Sequence, residues 1–375
     1  MAGRTDKIRS LHINTERTWR GGEQQVYYLV AGLAQRGHPV TLVCQDGEPL
    51  HKRADTLPIE VVPMKVRGEL SPAAVWRLRN IIRDRDIDIV HMHSPHAHTL
   101  GCAAATLAGR GVCIVTRRVD FSIRKSFVSV LKYKVRVNHY IAISHAIQNV
   151  MVHDGIDPSR ISVVHSGIDL SRFDTVAPAP LRDELGLGPD TKLIGNVAHM
   201  ADHKGQRYLV AAMPAILEHE PAAHLVIAGS GELRADLEKQ VERLGLGRSV
   251  TFLGFRDDVA AIEKAFDVFV MSSHMEGLCT SILDAMACGT PVVATHAGGI
   301  PEIVRHEYNG LMVPARDPKS LAEAVVRMLD DRKLAERLAE TARNTVIEQF
   351  TIDSMVEGNL AVYREMLADR HEPDM

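Results

Sequence analysis

Short apolar runs alternate with longer amphipathic segments along almost the whole chain. The runs Val40–Cys44 and Val268–Met271 are largely apolar, as strands buried on both faces of a parallel sheet are. The segments between such runs carry apolar residues at helical spacing, and parallel strands require crossover connections of this kind. The pattern therefore predicts an α/β protein in which helices cover doubly wound parallel sheets.

Strands and helices are predicted in both halves of the chain. The strands are Ile8–Ile13, Val40–Cys44, Ile59–Val62, Ile89–His91, Val112–Thr116, Tyr140–Ile143, Ile161–Val164, Leu193–Val197, Leu225–Ala228, Val250–Leu253, Val268–Met271, Pro291–Ala294 and Leu311–Val313. The helices are Gln24–Arg36, Ala73–Arg85, Thr99–Ala108, Phe127–Val135, His145–His153, Arg207–His219, Leu233–Leu244, Val259–Ala265, Ser281–Ala287, Leu321–Leu329, Leu334–Glu348 and Ile352–Leu367.

The length of the chain and a turn-rich segment near its middle predict two domains. The chain has 375 residues, more than one hydrophobic core usually serves. The segment Gly167–Pro189 is rich in turns, proline and small residues, and it separates two halves of ordinary domain size. We predict a first domain over residues 1–167, a second over 168–350 and a final helical segment over 351–375. Each domain then offers a ligand-binding edge, because open parallel sheets bind ligands at the carboxyl ends of their strands.

Composition excludes several classes of protein. The net charge of −3 gives no global attraction to nucleic acid. Five cysteines are scattered without C-x-x-C spacing, which is typical of reduced thiols in the cytoplasm. No secretory signal and no run of apolar residues long enough to span a membrane is apparent. We expect a cytoplasmic protein.

The stretch EGLCTSILDAMACGTPVVAT carries the strongest indication of chemistry. Glu276 stands in a loop, a short helix begins near Ser281, and a second acid, Asp284, lies inside that helix. A helix N-terminus offers free N–H groups to phosphate, and carboxylates accept hydrogen bonds from sugar hydroxyls. The pattern favours a nucleotide sugar as ligand. The alternative is an amphipathic helix whose acid is solvated.

The same stretch resembles the E-x7-E signature of the family 4 retaining glycosyltransferases, with Asp284 in place of the second glutamate. The resemblance continues through Gly298–Val304. It implies the GT-B fold: two facing Rossmann-like domains with a central cleft, and a last helix that crosses back to the N-terminal domain. It also implies that Glu276 binds the donor hexose and Asp284 the nucleotide ribose, although aspartate is one methylene shorter.

The resemblance assigns donor contacts to further loops of the second domain. Lys204 precedes Gly205 after a predicted strand and matches the family lysine that contacts the donor diphosphate, while His199 stands where the family commonly has an arginine. Loops at Gly229–Gly231 and around Arg256 match those that surround the nucleobase. The predicted donor-binding residues are Gly21, Gly22, His199, Lys204, Gly229, Gly231, Arg256, Glu276, Leu278, Cys279, Thr280, Ser281 and Asp284.

The glycine pair Gly21–Gly22 precedes a predicted helix in the first domain. It is not the G-x-G-x-x-G fingerprint of a dinucleotide site, which argues against a dehydrogenase. A glycine pair at a helix start still suits an anion, and in the family this loop approaches the donor phosphates. The alternative is a tight turn without a ligand.

A histidine-rich segment, VHMHSPHAH, raises the question of a metal site. His91 and His93 share one face of a strand, but Pro95 breaks the strand and no cysteine close by completes a common zinc pattern. We therefore expect no metal, and we expect His93 to reach the acceptor. Asp120 and His93 are the candidates for taking the acceptor proton, and Arg118 stands near where many family members have a histidine.

The segment 117–136 is basic and partly apolar. Such a segment suits anionic lipid headgroups or a phosphorylated glycolipid, and an ordinary solvated helix is the equal alternative. We expect possible peripheral contact with the inner face of the cytoplasmic membrane through this stretch.

These observations and the resemblance together predict a metal-independent, retaining transfer of a hexose from a nucleotide-diphosphate sugar to a hydroxyl of a glycan or glycolipid, with lipopolysaccharide as one candidate. Predicted catalytic residues are Glu276, Lys204, Asp120 and His93, and predicted acceptor contacts are His93, Arg118 and Asp120. No cofactor beyond the co-substrate and no nucleic-acid partner is expected. The alternatives are a sugar phosphorylase of the same fold and a non-catalytic subunit that binds nucleotide sugars.

Overall fold

The computed structural model describes residues 7–66, 68, 71–118 and 136–369. Contacts divide the chain into two compact units: Met1–Gly167 together with Ile352–Met375, and Ile168–Thr351. Each unit has a parallel sheet of its own and a core of its own.

The first unit contains, in its described part, a seven-stranded parallel sheet with the order β3-β2-β1-β4-β5-β6-β7. Its strands are β1 (Ser10–Ile13), β2 (Val40–Cys44), β3 (Glu60–Pro63), β4 (Ile89–Met92), β5 (Val112–Arg117), β6 (His139–Ala142) and β7 (Ile161–Val163). Its helices are α1 (Gly21–Gln35), α2 (Pro49–Ala54), α3 (Pro72–Asp84), α4 (Pro95–Ala108), α5 (His145–His153) and the C-terminal α14 (Ile352–Ala368). The chain order reverses between β1 and β4, the point where doubly wound sheets bind ligands.

The C-terminal helix α14 packs against α1 and is therefore part of the first unit. Gly32 on α1 allows the close approach, since a Cβ there would lie 2.5 Å from Cγ2 of Val356. Arg36, which caps the end of α1, donates to both Asp353 and Glu357 at 2.7 Å. Apolar burial supplies most of the stability at such a helix contact, because exposed ion pairs contribute little.

The second unit contains a six-stranded parallel sheet with the order β10-β9-β8-β11-β12-β13. Its strands are β8 (Lys192–Val197), β9 (Ala223–Ala228), β10 (Val250–Gly254), β11 (Val268–Met271), β12 (Val292–His296) and β13 (Leu311–Pro314). Its helices are α6 (Ser171–Asp174), α7 (Leu181–Glu184), α8 (Gln206–His219), α9 (Arg234–Arg243), α10 (Val259–Ala265), α11 (Thr280–Ala287), α12 (Pro318–Asp330) and α13 (Arg332–Gln349). Here the chain order reverses between β8 and β11.

The predicted α/β architecture is confirmed, and the strand predictions miss mainly at element ends. Helix α4 begins at Pro95 instead of the predicted Thr99, because proline is well suited to the first position of a helix. Helix α2 was not predicted, since only Leu50 and Ala54 on it are buried and its apolar periodicity is short. The predicted helix Phe127–Val135 lies outside the described residues. Within the described ranges, no helix has the length and apolar character needed to cross a bilayer.

Candidate active site

Two oppositely charged side chains meet at the ligand-binding edge of the second unit. Lys204 lies in the loop after β8 and Glu276 in the loop after β11, the two strands between which the chain order reverses. Their Nζ and Oε1 atoms are 2.6 Å apart, with the side chains 19% and 7% exposed. A pair this buried interacts through a low local dielectric, so its charges act more strongly than at a surface.

The loop that carries Glu276 is tightly constrained. Ser273 donates to Oε1 of Glu276 at 2.8 Å, so this oxygen accepts two hydrogen bonds. The N–H of Gly299 donates to the backbone carbonyl of Glu276 at 3.0 Å. Gly298 has a φ of +50°, and a Cβ there would lie 1.9 Å from that same carbonyl oxygen. The turn Gly298–Glu302 therefore packs closely against the loop that carries Glu276 and fixes the backbone of that loop.

Lys204 is held by an equally close backbone contact. It ends a single 3₁₀ turn, Asp202–Lys204, and Gly205 then adopts a φ of +66°. A Cβ on Gly205 would lie 2.2 Å from the carbonyl oxygen of Ser272, and the Ser272 hydroxyl donates to the Lys204 carbonyl at 3.2 Å. The loops that carry Lys204 and Glu276 are thus packed against each other, and this packing brings the two side chains together.

Helix α11 starts beside Glu276 and contributes free N–H groups. The sequence places the start near Ser281, and the structure places it at Thr280 with Cys279 as the N-cap. Cys279 has a φ of +66°, an unfavourable conformation for a residue with a side chain. The side chain of Leu278 is buried in the core. First-turn N–H groups of such a helix suit a phosphate.

The second acid of the signature, Asp284, lies half-buried on α11. Its Oδ1 is buried and has no hydrogen-bond partner in the part of the chain that the structure describes. Burial raises the pKa of Asp284 to about 6, and the positive charge of Arg172 opposes that rise. A second buried acid, Glu263 on α10, is electrostatically coupled to it.

The other loops predicted to bind the donor have contacts within the protein. His199 lies 3.2 Å from the carboxylate of Glu232. A Cβ on Gly229 would lie 2.1 Å from the carbonyl of Ala198, and one on Gly231 would lie 2.3 Å from that of Met200. Gly229 and Gly231 thus allow the neighbouring backbone to approach closely, and their contact with a donor stays a prediction.

Arg256, another predicted donor contact, is engaged in ion pairs within the second unit. It donates to both carboxylate oxygens of Asp258, at 2.8 and 2.6 Å, and to Glu184 at 3.2 Å. The hydrogen bonds that Arg256 donates to Asp258 and, to a smaller extent, to Glu184 raise the pKa of Arg256. The guanidinium therefore links its own loop to Glu184, and its contact with a donor stays a prediction.

The first unit carries uncharged histidines at the equivalent edge of its sheet. His12 on β1 pairs in register with His91 on β4, and His93 follows β4 on the same face. The His12 Nδ1 and His93 Nε2 atoms are 3.0 Å apart, and the His12 Nε2 lies 3.1 Å from the Ser10 hydroxyl. His91 bonds on both sides at 2.6 Å, to the Tyr363 hydroxyl of α14 and to Thr116.

Burial keeps all three rings neutral. It lowers the pKa of His12 to about 3 and the pKa values of His91 and His93 well below the ordinary value. The positive charge of Arg118 lowers the pKa values of His91 and His93 further. A ring with so low a pKa is a weak base, which reduces the ability of His93 to take a proton.

The same three rings form a cluster that the sequence alone did not reveal. Their nitrogens come within 4.8 Å of one another, which is close enough for metal ligands. The rings of His12 and His91, however, already have both nitrogens in hydrogen bonds, and Arg118 adds a nearby positive charge. The arrangement is that of a hydrogen-bonded core network.

Two other predicted residues of the first unit, Gly21 and Gly22, lie at the start of α1 close to Arg118. Gly21 and Gly22 begin α1, and a Cβ on Gly22 would be 3.7 Å from Cδ of Arg118, an ordinary contact. Burial lowers the pKa of Arg118 to about 10, and Glu23 opposes the change. Asp120 and most of the basic segment 117–136 lie outside the described residues.

Sequence reasoning missed four residues that shape these sites: Ser273, Glu263, His12 and Tyr363. Ser273 stands within the SSHMEG loop, so its nearness to Glu276 was readable from the sequence. Glu263 gave a weaker signal, as a lone acid on the apolar helix AAIEKA. The roles of His12 and Tyr363 depend on strand register and on the packing of α14, which no local pattern contains.

Comparison with known proteins agrees with this geometry. The family model described as Glycosyltransferase Family 4 matches residues 19–172, and that described as Glycosyl transferases group 1 matches residues 179–345. An uncharacterized glycosyltransferase of Methanocaldococcus jannaschii is 37% identical over 57% of this chain and 53% of its own length, so the match spans about half of that relative.

A longer alignment and a solved structure extend the comparison. The UDP-Gal:alpha-D-GlcNAc-diphosphoundecaprenol alpha-1,3-galactosyltransferase of Escherichia coli is 26% identical over 88% of this chain and 90% of its own length. The Anabaena protein HepE, solved in complex with UDP, superposes with a TM-score of 0.82 at 22% identity, over 96% of this chain and all of that one. Because the two family models together match residues 19–172 and 179–345, the chain belongs to the family 4 glycosyltransferases, and its fold is GT-B.

Proposed function

We propose that the chain is a retaining hexosyltransferase that moves a sugar from a nucleotide-diphosphate sugar to a hydroxyl of a glycan or glycolipid. The observation that carries the proposal is the buried Lys204–Glu276 pair at the point where the chain order of the second sheet reverses. A cation, a carboxylate and a helix N-terminus together match the two parts of such a donor, its diphosphate and its hydroxyl-rich ring.

Lys204 stabilises the charge that develops when the donor bond breaks. Departure of the nucleotide leaves negative charge on the diphosphate, and a fixed ammonium with the first N–H groups of α11 offsets it. Without a donor, the same ammonium pairs with Glu276. When the donor binds, the Lys204 ammonium interacts with both the donor phosphate and the Glu276 carboxylate. We propose that these groups make a metal ion unnecessary.

Glu276 orients the transferred sugar. Its Oε1 is already held by Ser273 and Lys204, so the carboxylate is fixed before the sugar arrives. Hydrogen bonds that the hexose hydroxyls donate to a carboxylate fixed in this way hold the sugar in the reactive geometry. Asp284 binds the ribose hydroxyls from the next turn of α11.

In the proposed transfer, the acceptor hydroxyl oxygen bonds to the anomeric carbon on the face from which the diphosphate leaves. The bond between that carbon and the diphosphate oxygen breaks, and the leaving phosphate takes the hydroxyl proton. This route suits the low pKa of His93, which makes that ring a poor base. We assign His93, Arg118 and Asp120 to acceptor binding. The lipid-diphosphate substrate in the name of the E. coli relative supports a lipid-linked acceptor.

Screening UDP- and GDP-sugars for nucleotide release, with and without glycolipid acceptors, tests the proposal. We expect one donor to be consumed with retention of anomeric configuration, measured by NMR of the product. Glu276→Ala should lower turnover about 10²- to 10³-fold, while the exposed control Glu323→Ala, on α12, should leave it unchanged. Full turnover by folded Glu276→Ala would overturn the role of Glu276, and turnover with free phosphate and no nucleotide would indicate a phosphorylase.

A further inference from the structure

A buried acid on α10 has no place in the proposed chemistry so far. Glu263 is 0% exposed, and neither of its carboxylate oxygens has a hydrogen-bond partner among the described residues. Its backbone is fixed against the end of α11, because the Thr290 hydroxyl donates to the Glu263 carbonyl at 2.7 Å. Burying an unpaired carboxylate is costly, so the group needs a physical explanation.

The explanation lies on the neighbouring helix α11. Asp284 has one buried oxygen, Oδ1, that also lacks a partner in the described structure. The two helices are packed together, and the Cys288 thiol at the end of α11 donates to the Ala260 carbonyl of α10 at 3.5 Å. The negative charge of Asp284 acts on Glu263 directly. The two acids therefore stand on packed helices, and each has at least one buried carboxylate oxygen without a hydrogen-bond partner among the described residues.

Such a pair is stable when it holds one proton. Two carboxylates close together do not both ionise, and the group in the drier position keeps the proton. Glu263 is fully buried and Asp284 is half-buried, so Glu263 is the acid that holds the proton. A neutral carboxylic acid is then an O–H donor, and the unpartnered Oδ1 of Asp284 is the acceptor beside it.

We propose that Glu263 is a positioning residue that, as a neutral acid, donates a hydrogen bond to Asp284 and aims the Asp284 carboxylate at the ribose of the nucleotide donor. This inference rests on the proposed function, which gives Asp284 the ribose. It also bears on the aspartate of the signature, whose side chain is shorter than that of a glutamate. A hydrogen-bond partner that holds the aspartate in place lowers the conformational entropy lost when the ribose binds.

The pair makes donor binding sensitive to acid. Burial and the charge of Asp284 raise the pKa of Glu263 well above its ordinary value, and the pKa of Asp284 is about 6. The other group that acts on both acids is Arg172, which lowers both pKa values. On the same helices stand Cys288, whose pKa is raised by burial and by both acids, and Lys264, which opposes that rise. Below about pH 6 the pair takes up its second proton, on Asp284, which then no longer accepts hydrogen bonds from two ribose hydroxyls.

Binding of UDP and GDP to Glu263 variants, measured by calorimetry between pH 5 and 8, tests the role. Wild type should lose affinity below about pH 6. Glu263→Gln keeps an N–H donor and should bind within about twofold of wild type at pH 7. Glu263→Leu removes the donor and should bind roughly ten- to a hundredfold more weakly, the loss expected for one hydrogen bond to a charged group. Wild-type affinity in folded Glu263→Leu would overturn the inference.

Infrared spectroscopy provides a readout that does not depend on any ligand. A protonated carboxylic acid has a C=O stretching band separate from that of carboxylates, and we expect this band at pH 7 in wild type and its loss in Glu263→Gln. Absence of the band from wild type would overturn the shared proton even if UDP binds. Presence of the band with no binding of UDP or GDP to wild type would instead overturn the proposed function.

Discussion

The two units have the same strand order around the point of chain reversal, yet they place opposite kinds of chemistry there. At the β8/β11 edge of the second unit a lysine and a glutamate form a buried ion pair. At the β1/β4 edge of the first unit three histidines form a neutral network. A shared topology thus specifies where side chains converge, and the residue types decide whether that place carries charge.

The difference in charge follows from how each group is solvated and paired. In the ion pair, the two side chains of opposite charge lie 2.6 Å apart. The histidines have only neutral hydrogen-bond partners and a nearby cation, Arg118, so burial removes their charge. Stabilisation of developing charge depends on donors and charges that are fixed in advance, and the Lys204 ammonium is fixed in this way.

The largest expected effect comes from breaking the charged pair. Lys204→Ala should lower kcat/KM about 10²- to 10³-fold, because it removes the cation that offsets the departing diphosphate. It also leaves the carboxylate of Glu276 buried without its counter-charge. Steady-state kinetics on the donor found by the screen measure the change, with Lys239→Ala as control because that side chain is 72% exposed. Loss in both variants would contradict a specific role for Lys204.

Acid should weaken the first unit through its histidines. A folded histidine with a lowered pKa binds fewer protons than the unfolded chain, so its contribution to stability is complete above pH 6.5 and is lost as pH falls. For His12, whose folded pKa is about 3, the loss is about 1.4 kcal/mol per pH unit. Hydrogen exchange of β1 and β4 amides at pH 6.5 and 5.5, corrected for intrinsic rates, measures it.

For Glu263 and Asp284, the acid pair of the second unit, the change of stability with pH should have the opposite sign. Glu263 and Asp284 have raised pKa values, so the folded state binds more protons than the unfolded chain and gains stability as pH falls toward 5. Amides of α10 and α11 should therefore keep their protection between pH 6.5 and 5.5, while β1 and β4 lose theirs. Equal loss of protection in both units would contradict the contrast between them.

A smaller effect is expected from one hydroxyl of the neutral network. Tyr363→Phe removes the partner of His91 Nδ1 and leaves that buried nitrogen unsatisfied. The free energy of unfolding should fall by about 1–3 kcal/mol, measured by urea denaturation. Tyr308→Phe is the matched control, because Tyr308 is 52% exposed, and it should change stability by less than about 0.5 kcal/mol.

The smallest expected effect isolates backbone strain beside the charged pair. Cys279→Gly and Cys279→Ala both remove the thiol, but only glycine adopts a φ of +66° without cost. The glycine variant should be more stable than the alanine variant by about 1 kcal/mol in urea denaturation. An alanine variant of equal stability would show that the left-handed conformation at the N-cap of α11 carries little strain.

Local patterns in the sequence were sufficient for the strands, most helices, and the loops of Lys204 and Glu276. A buried strand and an amphipathic helix differ in period, and that period is written into consecutive residues. The lysine and the glutamate were found because each follows a recognisable strand, and parallel strands bring their carboxyl ends to one edge.

Only the tertiary structure joined residues that no period connects. His12 meets His91 because β1 pairs with β4 in one register, and Tyr363 reaches them because α14 returns to the first unit. Glu263 meets Asp284 because α10 packs on α11. Local periodicity determines which face of an element is apolar, whereas the charge state of a buried group depends on partners distant in the chain, and those exist only after the elements have packed.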